Sequence, residues 1–186
     1  SVWSAIGLPV MCAIGREHFR EFLRGGHDMD EHFLHAPWRH NIPALLALIG
    51  IWQQNFCGST SHIVIPYSHG LRRLPAHLQQ LDMESLGRCA NREGKPLTKP
   101  SDIIVWGGTG TEAQHAFFQL VHQGQRNIPI DFVTVKTPPK GYEDAQRIIH
   151  GHCTAQAEAL MRGCDDSDLQ NIPENERYQR TCPGNR

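Results

Sequence analysis

The sequence has no long apolar run and no excess of charge of either sign. Its longest apolar stretch, residues 42–52, follows Asn41 and is ended by Gln53 and Gln54, and it is shorter than the roughly 18 to 20 residues that span a bilayer. Eighteen basic residues against nineteen acidic residues leave a formal net charge of -1, so no general attraction to nucleic acid or to an anionic membrane is expected. These absences predict a soluble chain whose partners include neither nucleic acid nor membrane.

The cysteines contain no two-residue-spaced pair, which argues against a zinc ribbon or a redox motif. They are Cys12, Cys57, Cys89, Cys153, Cys164 and Cys182. Reduced thiols in a cytoplasmic protein are the simplest interpretation. Two histidine groups leave a metal site open as an alternative, namely His32 with His35, and His150 with His152 and Cys153. Neither group has a recognisable carboxylate pattern, so capping or surface histidines are the competing interpretation, and we predict no metal.

Residues 1–60 are predicted to form a helical lead-in segment. Four helical stretches are expected there: residues 1–14, 16–24, 28–35 and 44–56. Gly25 and Gly26 separate the second stretch from the third, and Asn41 precedes Pro43 in the pattern of an N-cap followed by an early proline. The first stretch is apolar nearly all round, which implies burial within a larger body, and the long apolar last stretch is expected to be mostly buried.

After the lead-in, short β-branched runs alternate with helical patterns. Strands are expected over residues 62–67, 102–106 and 130–135, and helices over residues 71–86, 111–122 and 142–162. This alternation predicts parallel crossovers in an α/β domain over residues 61–163. Ligands of such sheets bind at the carboxyl ends of the strands, here the loops after Tyr67, Trp106 and Val135. Residues 164–186 are polar and aperiodic, so an extended surface segment is expected.

The stretch LQQLDMESLGR, residues 78–88, is the first candidate site. Gln80 and Glu84 lie four residues apart, so a helix places an amide and a carboxylate on one face. A leucine stripe at three- and four-residue spacing is expected to take the buried face: Leu71, Leu74, Leu78 and Leu81. Gln80 and Glu84 are then not expected to be buried in the core. A merely solvated helix face is the alternative interpretation.

The second candidate stretch begins with residues 107–110, Gly-Gly-Thr-Gly, which allow the backbone to turn sharply and to approach a ligand closely. Thr111 and Gln114 match a capping box, so we expect the helix to begin at Thr111. His115 would then lie near the first turn, where the helix dipole disfavours the imidazolium and favours a neutral ring that exchanges protons near neutral pH. His115 is the expected partner of Glu84, with a structural histidine as the alternative. Neither a P-loop nor a complete dinucleotide fingerprint is present.

Seven segments along the chain carry a family resemblance: SVWSAIGLP, LLALIGIW, LQQLDMESLGR, QHAFFQLVHQG, IPIDF, AQAEALMRG and PGNR. In this order they resemble the glucose-6-phosphate isomerase family, and its bacterial members in particular. The resemblance implies two three-layer α/β sandwich domains of the sugar-isomerase (SIS) type, with a parallel sheet each, and a homodimer with shared active sites. It also implies that this chain is a fragment, inactive alone, covering connecting helices and most of the second SIS domain. Leu86 stands where the family commonly has Asn.

The same resemblance implies a reaction and roles for three residues. The family interconverts glucose 6-phosphate and fructose 6-phosphate through an enediol intermediate, in glycolysis and gluconeogenesis, without a cofactor. Glu84 matches the general base, Gln80 matches a substrate-contacting amide, and His115 matches the histidine that assists ring opening and serves the other subunit's site. The alternative is a noncatalytic SIS domain that binds a sugar phosphate, which isotope exchange in labelled water would distinguish from an isomerase.

Overall fold

The computed structural model describes residues 2–184, apart from the side chain of Asp166. The chain forms two compact units, Ser1–Trp52 and Gln53–Arg186. No helix within the described residues combines the length and the hydropathy that crossing a bilayer requires. The first unit contains helices alone, and the second contains the sheet.

The first unit has three main helices: α1 (Leu8–Ile14), α2 (Arg16–His35) and α3 (Ile42–Asn55), with 3₁₀ turns at Ala5–Gly7 and Trp38–His40. The predicted interruption of α2 at Gly25 and Gly26 is wrong, because the helix runs through both residues. A Cβ at Gly26 would lie 2.5 Å from the ring of Trp3, and that ring also stacks on Phe22 at 5.7 Å. Packing of Trp3 into the space left by Gly26 offsets the roughly 1 kcal/mol by which glycine disfavours a helix.

Asn41 caps α3, as its sequence position predicts. Its Oδ1 accepts a hydrogen bond from the Ala44 N–H at 3.2 Å, and its Nδ2 donates to the Phe33 carbonyl at 2.8 Å. The helix begins two residues earlier than predicted. The expected burial of α3 is wrong for this chain, since the helix has no buried residue and Leu46 is 58% exposed. The first helix, α1, also has no buried residue here, but its predicted burial was within a larger body. Both helices therefore present apolar surface.

The second unit is built on a three-stranded sheet: β1 (Ser61–Pro66), β2 (Ile104–Gly107) and β3 (Ile130–Val133), in the order β2-β1-β3. Both pairings are parallel, which confirms the predicted α/β class, and each strand lies within two residues of its predicted bounds. Because β1 is paired on both edges and covered on both faces, Ile63 and Ile65 are fully buried, as expected for the central strand of a parallel sheet.

The described part of the second unit also contains 3₁₀ segments at His69–Leu71 and Glu174–Gln179, and these further helical segments: α4 (Leu74–Leu78), a π-helical segment (Gln79–Glu84), α5 (Gly110–Ala116), α6 (Phe118–Gln123), α7 (Glu143–Arg162) and α8 (Asp166–Leu169). The single helix predicted over residues 111–122 is wrong, because the chain breaks at Phe117. Consecutive residues of a continuous helix point in different directions. The break lets the Phe117 ring pack edge-on against Trp106 at 4.7 Å while Phe118 is buried in the core.

Residues 164–184, which we call the C-terminal strap, are not extended throughout. They contain α8 and a 3₁₀ segment, Glu174–Gln179. Asp165 starts α8 with a capping box, accepting from the Ser167 N–H at 2.9 Å and the Asp168 N–H at 3.1 Å. The hydrogen bond from the Ser167 side chain, followed by those from the backbone, lowers the pKa of the Asp165 carboxyl. Capping hydrogen bonds therefore stabilise helical structure in the strap, although its sequence has no apolar repeat that would predict a helix.

Candidate functional site

Gln80 and Glu84 form the pair that the four-residue spacing predicts. The Gln80 Nε2 donates a hydrogen bond to the Glu84 Oε2 at 3.3 Å, and both side chains are exposed. The helix differs from the predicted one, because both residues lie in a π-helical segment. A π turn, with i→i+5 hydrogen bonds, holds more residues than the 3.6 of an α turn, so residues four apart come closer to alignment. Such π segments occur frequently at functional sites.

The π segment also changes the leucine stripe. Leu71, Leu74 and Leu78 are half-buried, as expected for the inner face, but Leu81 is 52% exposed and Leu86 is 49% exposed. The burial predicted for Leu81 is therefore wrong. The wider turn shifts the phase of the apolar repeat, so a stripe that holds in α4 does not continue beyond it. Exposed apolar side chains consequently border the Gln80–Glu84 pair.

The chain just after Glu84 is fixed at the amino end of the sheet. The Ser101 Oγ donates hydrogen bonds to the Leu86 carbonyl at 2.6 Å and to the Arg88 carbonyl at 3.2 Å. Ser101 lies three residues before β2 begins at Ile104. Glu84 is therefore carried by a segment tied to the start of β2, away from the carboxyl ends where ligand loops were expected.

The glycines at the end of β2 and just after it pack against the core. A Cβ at Gly107 would lie 1.9 Å from the Val64 carbonyl oxygen, and one at Gly110 would lie 2.4 Å from the ring of Tyr67. Both positions thus need glycine for contact with the protein itself, whereas the predicted role was close approach to a ligand. Gly108 is different, because a Cβ there would meet only the Phe117 ring at 3.8 Å.

The predicted capping box of Thr111 and Gln114 is wrong. The N-cap of α5 is Thr109, whose hydroxyl lies 2.5 Å from the Glu112 Oε2, and Gln114 instead donates to the Tyr67 hydroxyl at 3.2 Å. Because α5 begins at Gly110 and ends at Ala116, the exposed His115 lies in its last turn. The argument that the amino-terminal dipole keeps this ring neutral therefore does not apply.

Tyr67, at the end of a predicted strand, anchors α5 through the hydrogen bond from Gln114. It is 1% exposed. Its N–H donates to the Val133 carbonyl at 2.7 Å, and its carbonyl accepts from the Gln146 Nε2 at 3.4 Å. Burial raises the pKa of its hydroxyl, against the opposing effect of the Gln114 hydrogen bond. An aromatic ring with a polar tip at the end of an apolar strand is the sequence signal for such an anchor.

One chain does not bring Glu84 and His115 together. The Glu84 carboxylate is hydrogen-bonded to Gln80, and His115 is exposed. Glu84 is carried by a segment tied to the amino end of the sheet, whereas His115 follows Gln114, which is bonded to Tyr67 beyond the carboxyl end of β1. At about 3.3 Å per residue, the six residues of β1 separate these anchors by about 20 Å. That His115 acts together with Glu84 therefore stays a prediction, and the family resemblance assigns His115 to the site of the other subunit.

The two histidine groups differ in surroundings. The His32 Nε2 accepts a hydrogen bond from the Ile42 N–H at 3.1 Å, so this ring caps α3, and His35 lies 3.4 Å from Glu31. His150 is exposed, whereas Cys153 is buried in the core. Across residues 2–184, apart from the side chain of Asp166, no group of three or more His, Cys, Asp or Glu side chains is placed to hold a metal ion.

The whole sequence, residues 1–186, matches the model of the phosphoglucose isomerase family. The chain belongs to this family. It is 50% identical over 169 residues to glucose-6-phosphate isomerase 2 of Chromobacterium violaceum, an alignment of 91% of this chain and 31% of that protein. It is 46% identical over 186 residues to glucose-6-phosphate isomerase 1 of Chromohalobacter salexigens, covering 100% of this chain and 33% of the relative.

A solved member of the phosphoglucose isomerase family has a similar fold. The crystal structure of a glucose-6-phosphate isomerase from Chlamydia trachomatis superimposes with a TM-score of 0.75 at 35% sequence identity, over 91% of this chain and 32% of that one. The chain spans about a third of the length of the relatives that it matches. The sheet and the helices that carry Gln80, Glu84 and His115 are therefore set within a fold known from this family.

Proposed function

We propose that the protein containing this chain interconverts glucose 6-phosphate and fructose 6-phosphate, with Glu84 as the base. The observation that carries the proposal is the Gln80–Glu84 hydrogen bond in the π segment. Membership of the phosphoglucose isomerase family supports it, as do the names of the relatives, which are glucose-6-phosphate isomerases. The substrate is a phosphorylated hexose, and the reaction places the protein in cytoplasmic glycolysis and gluconeogenesis.

The proposed chemistry is a proton transfer between neighbouring carbons. Glu84 removes the proton from C2 of the open-chain aldose, which gives an enediol, and returns a proton to C1 to give the ketose. The Gln80 amide holds one carboxylate oxygen, and the other oxygen remains available to take the proton. The isomerisation moves only protons and needs no external electrons, so a carboxylate and an imidazole are sufficient to catalyse it.

The apolar side chains beside the pair support this role. Leu81, Met83 and Leu86 are all exposed around Glu84. A substrate or protein surface that covers them would exclude water from the carboxylate, and a drier site strengthens the interactions that stabilise the enediol. The exposed position of Glu84 in this chain is thus compatible with a base that works once the site is covered.

His115 is proposed to assist ring opening in the site of a second subunit. The two anchors of Glu84 and His115 lie at opposite ends of the sheet, about 20 Å apart along β1. A homodimer related by two-fold symmetry contains two copies of each residue, so His115 of one subunit is able to approach Glu84 of the other. This arrangement completes two equivalent sites.

The test of the reaction uses the complete reading frame that contains this chain. In deuterated water with glucose 6-phosphate, we expect fructose 6-phosphate that carries deuterium at C1, because a carboxylate that holds the transferred proton exchanges it with solvent. Nuclear magnetic resonance of the product measures the label. Binding of the sugar phosphate without conversion would contradict the proposed reaction, and conversion with no deuterium at all would contradict the enediol route.

The dimeric site predicts complementation between two inactive variants. We expect Glu84→Gln and His115→Ala, each weakly active alone, to recover about a quarter of wild-type turnover after unfolding and refolding as a mixture. Half of randomly assorted dimers are mixed, and each mixed dimer has one intact site. The control is a mixture of Glu84→Gln with Glu84→Ala, which has no intact site and should not recover. No recovery in the first mixture, with mixed dimers shown to form, contradicts the shared site.

A further inference from the structure

Cys164 and Cys182 lie at the two ends of the C-terminal strap and meet beside α7. The Cys164 N–H donates to the Cys182 carbonyl at 2.8 Å. Standard bond lengths place each Cα atom within roughly 2.4 Å of the bonded nitrogen or oxygen, so this hydrogen bond keeps the two Cα atoms within roughly 6.7 Å of each other. That spacing lies inside the range of roughly 4.4 to 6.8 Å that a disulfide requires.

The backbones on either side of this pair are in close contact. A Cβ at Gly163 would lie 2.6 Å from the Gly184 nitrogen and 2.7 Å from the Cys182 carbonyl oxygen. Only glycine therefore lets the two segments approach at this point. The pair is held together by the fold, so a bond between the sulfurs needs little movement of the backbone.

The two cysteines also share access to solvent. Both line a cleft of about 520 Å³, together with Gln123 and Arg180. Arg180 supplies a positive charge on this cleft, whereas Asp168 on the same cleft lies 3.4 Å from Arg162. The cleft is thus large enough and suitably charged for a small peptide thiol with free carboxylates, such as glutathione.

We propose that Cys164 and Cys182 form a reversible disulfide by exchange with a small-molecule disulfide of the glutathione type. The bond joins the two ends of the C-terminal strap. The hydrogen bond from the Gln123 Nε2 to the Gln179 carbonyl at 2.7 Å already holds the strap three residues before Cys182. This is a modification site outside the Gln80–Glu84 pair, and it does not depend on the proposed reaction.

The exchange proceeds in two balanced steps. The Cys164 thiolate attacks one sulfur of oxidised glutathione, which forms a mixed disulfide on Cys164 and releases one glutathione thiolate. The Cys182 thiol then loses its proton to solvent and attacks the Cys164 sulfur, which releases the second glutathione. Two protein thiols are oxidised and one glutathione disulfide is reduced. Burial, followed by the hydrogen bond with Cys164, raises the pKa of the Cys182 thiol, so Cys164 is assigned the first attack.

The test measures the bond by peptide mapping of the complete protein. The protein is equilibrated in buffers of reduced and oxidised glutathione, its free thiols are blocked, and it is digested with trypsin without reduction. Cleavage after Arg162, Arg177 and Arg180 separates the two cysteines. We expect the peptide that begins at Gly163 to remain joined to the peptide that begins at Thr181, and dithiothreitol to release them. Both cysteines free in every buffer, or Cys164 linked to a different cysteine, overturns the proposal.

Two variants sharpen the result. In Cys182→Ser the second step is blocked, so we expect at least about tenfold more glutathione on Cys164 than in the wild type. Cys89→Ser is the matched control, because Cys89 is an exposed free cysteine, and it should leave the joined peptides unchanged. Equal glutathione on Cys164 with and without Cys182 contradicts the proposal, because it shows that the second thiol does not resolve the mixed disulfide.

Discussion

Glu84→Gln lowers the turnover number of the complete protein by about 10²- to 10⁴-fold, which is the range for loss of a positioned general base. The amide keeps the size of the side chain and is able to accept the hydrogen bond from the Gln80 Nε2, but it cannot take a proton from C2. Because Glu84 is exposed, the free energy of unfolding should not change measurably. Steady-state conversion of glucose 6-phosphate gives the turnover number, and urea unfolding gives the stability.

The matched control for this substitution is Asp82→Asn. Asp82 lies in the same π segment and its carboxylate has the same charge, so the control tests whether charge alone explains the loss. We expect its turnover to stay within about twofold of wild type, because it is not the group that moves the proton. Near-normal turnover of Glu84→Gln, or an equal loss in both variants, would show that Glu84 is not the base.

Gly107→Ala lowers the free energy of unfolding by about 3 kcal/mol or more, at the upper end of the effects of overpacking. The new Cβ would lie 1.9 Å from the Val64 carbonyl oxygen. Val64 belongs to the central strand and is 3% exposed, so its backbone cannot move aside without displacing β1. The urea midpoint and the yield of soluble protein measure the loss, and failure to obtain folded protein is the extreme form of the same result.

Gly108→Ala is the control for Gly107→Ala. It adds the same methyl group one residue later in the same turn, where the nearest atom belongs to the Phe117 ring at 3.8 Å. We expect a change of at most about 0.5 kcal/mol in the free energy of unfolding. Equal losses in the two variants would mean that the turn needs glycine for its flexibility and that close contact with β1 is not the cause.

The strands were predicted well because their signal is local. Each β-branched run became a strand of the parallel sheet, and the apolar run of β1 is the core of the unit. The helices were predicted less well in their interiors. The continuity of α2 through Gly25 and Gly26 depends on packing against the distant Trp3 ring. The helix break at Phe117 depends on the contact between Phe117 and Trp106. Neither contact follows from residues next to each other in sequence.

In the candidate site, too, some features follow from the local sequence and others depend on distant contacts. The spacing of Gln80 and Glu84 was sufficient to predict that they share a face, and they are hydrogen-bonded at 3.3 Å. The position of His115 in the last turn of α5 was not predictable, because it depends on the break at Phe117, which no local pattern indicated. Gln114 is bonded to Tyr67, a residue far away in sequence, and long-range hydrogen bonds of this kind carry no local pattern.

The LQQLDMESLGR stretch by itself determined that an amide and a carboxylate meet on one side of a helix, because side-chain spacing along a helix depends only on local geometry. Only the tertiary structure decided that the helix widens into a π segment and that Leu81 faces outward. It also decided that Glu84 and His115 are anchored at opposite ends of the sheet. The physical reason for this anchoring is that the hydrogen bonds of Ser101 and Tyr67 join segments that the chain brings close only when the parallel strands have paired.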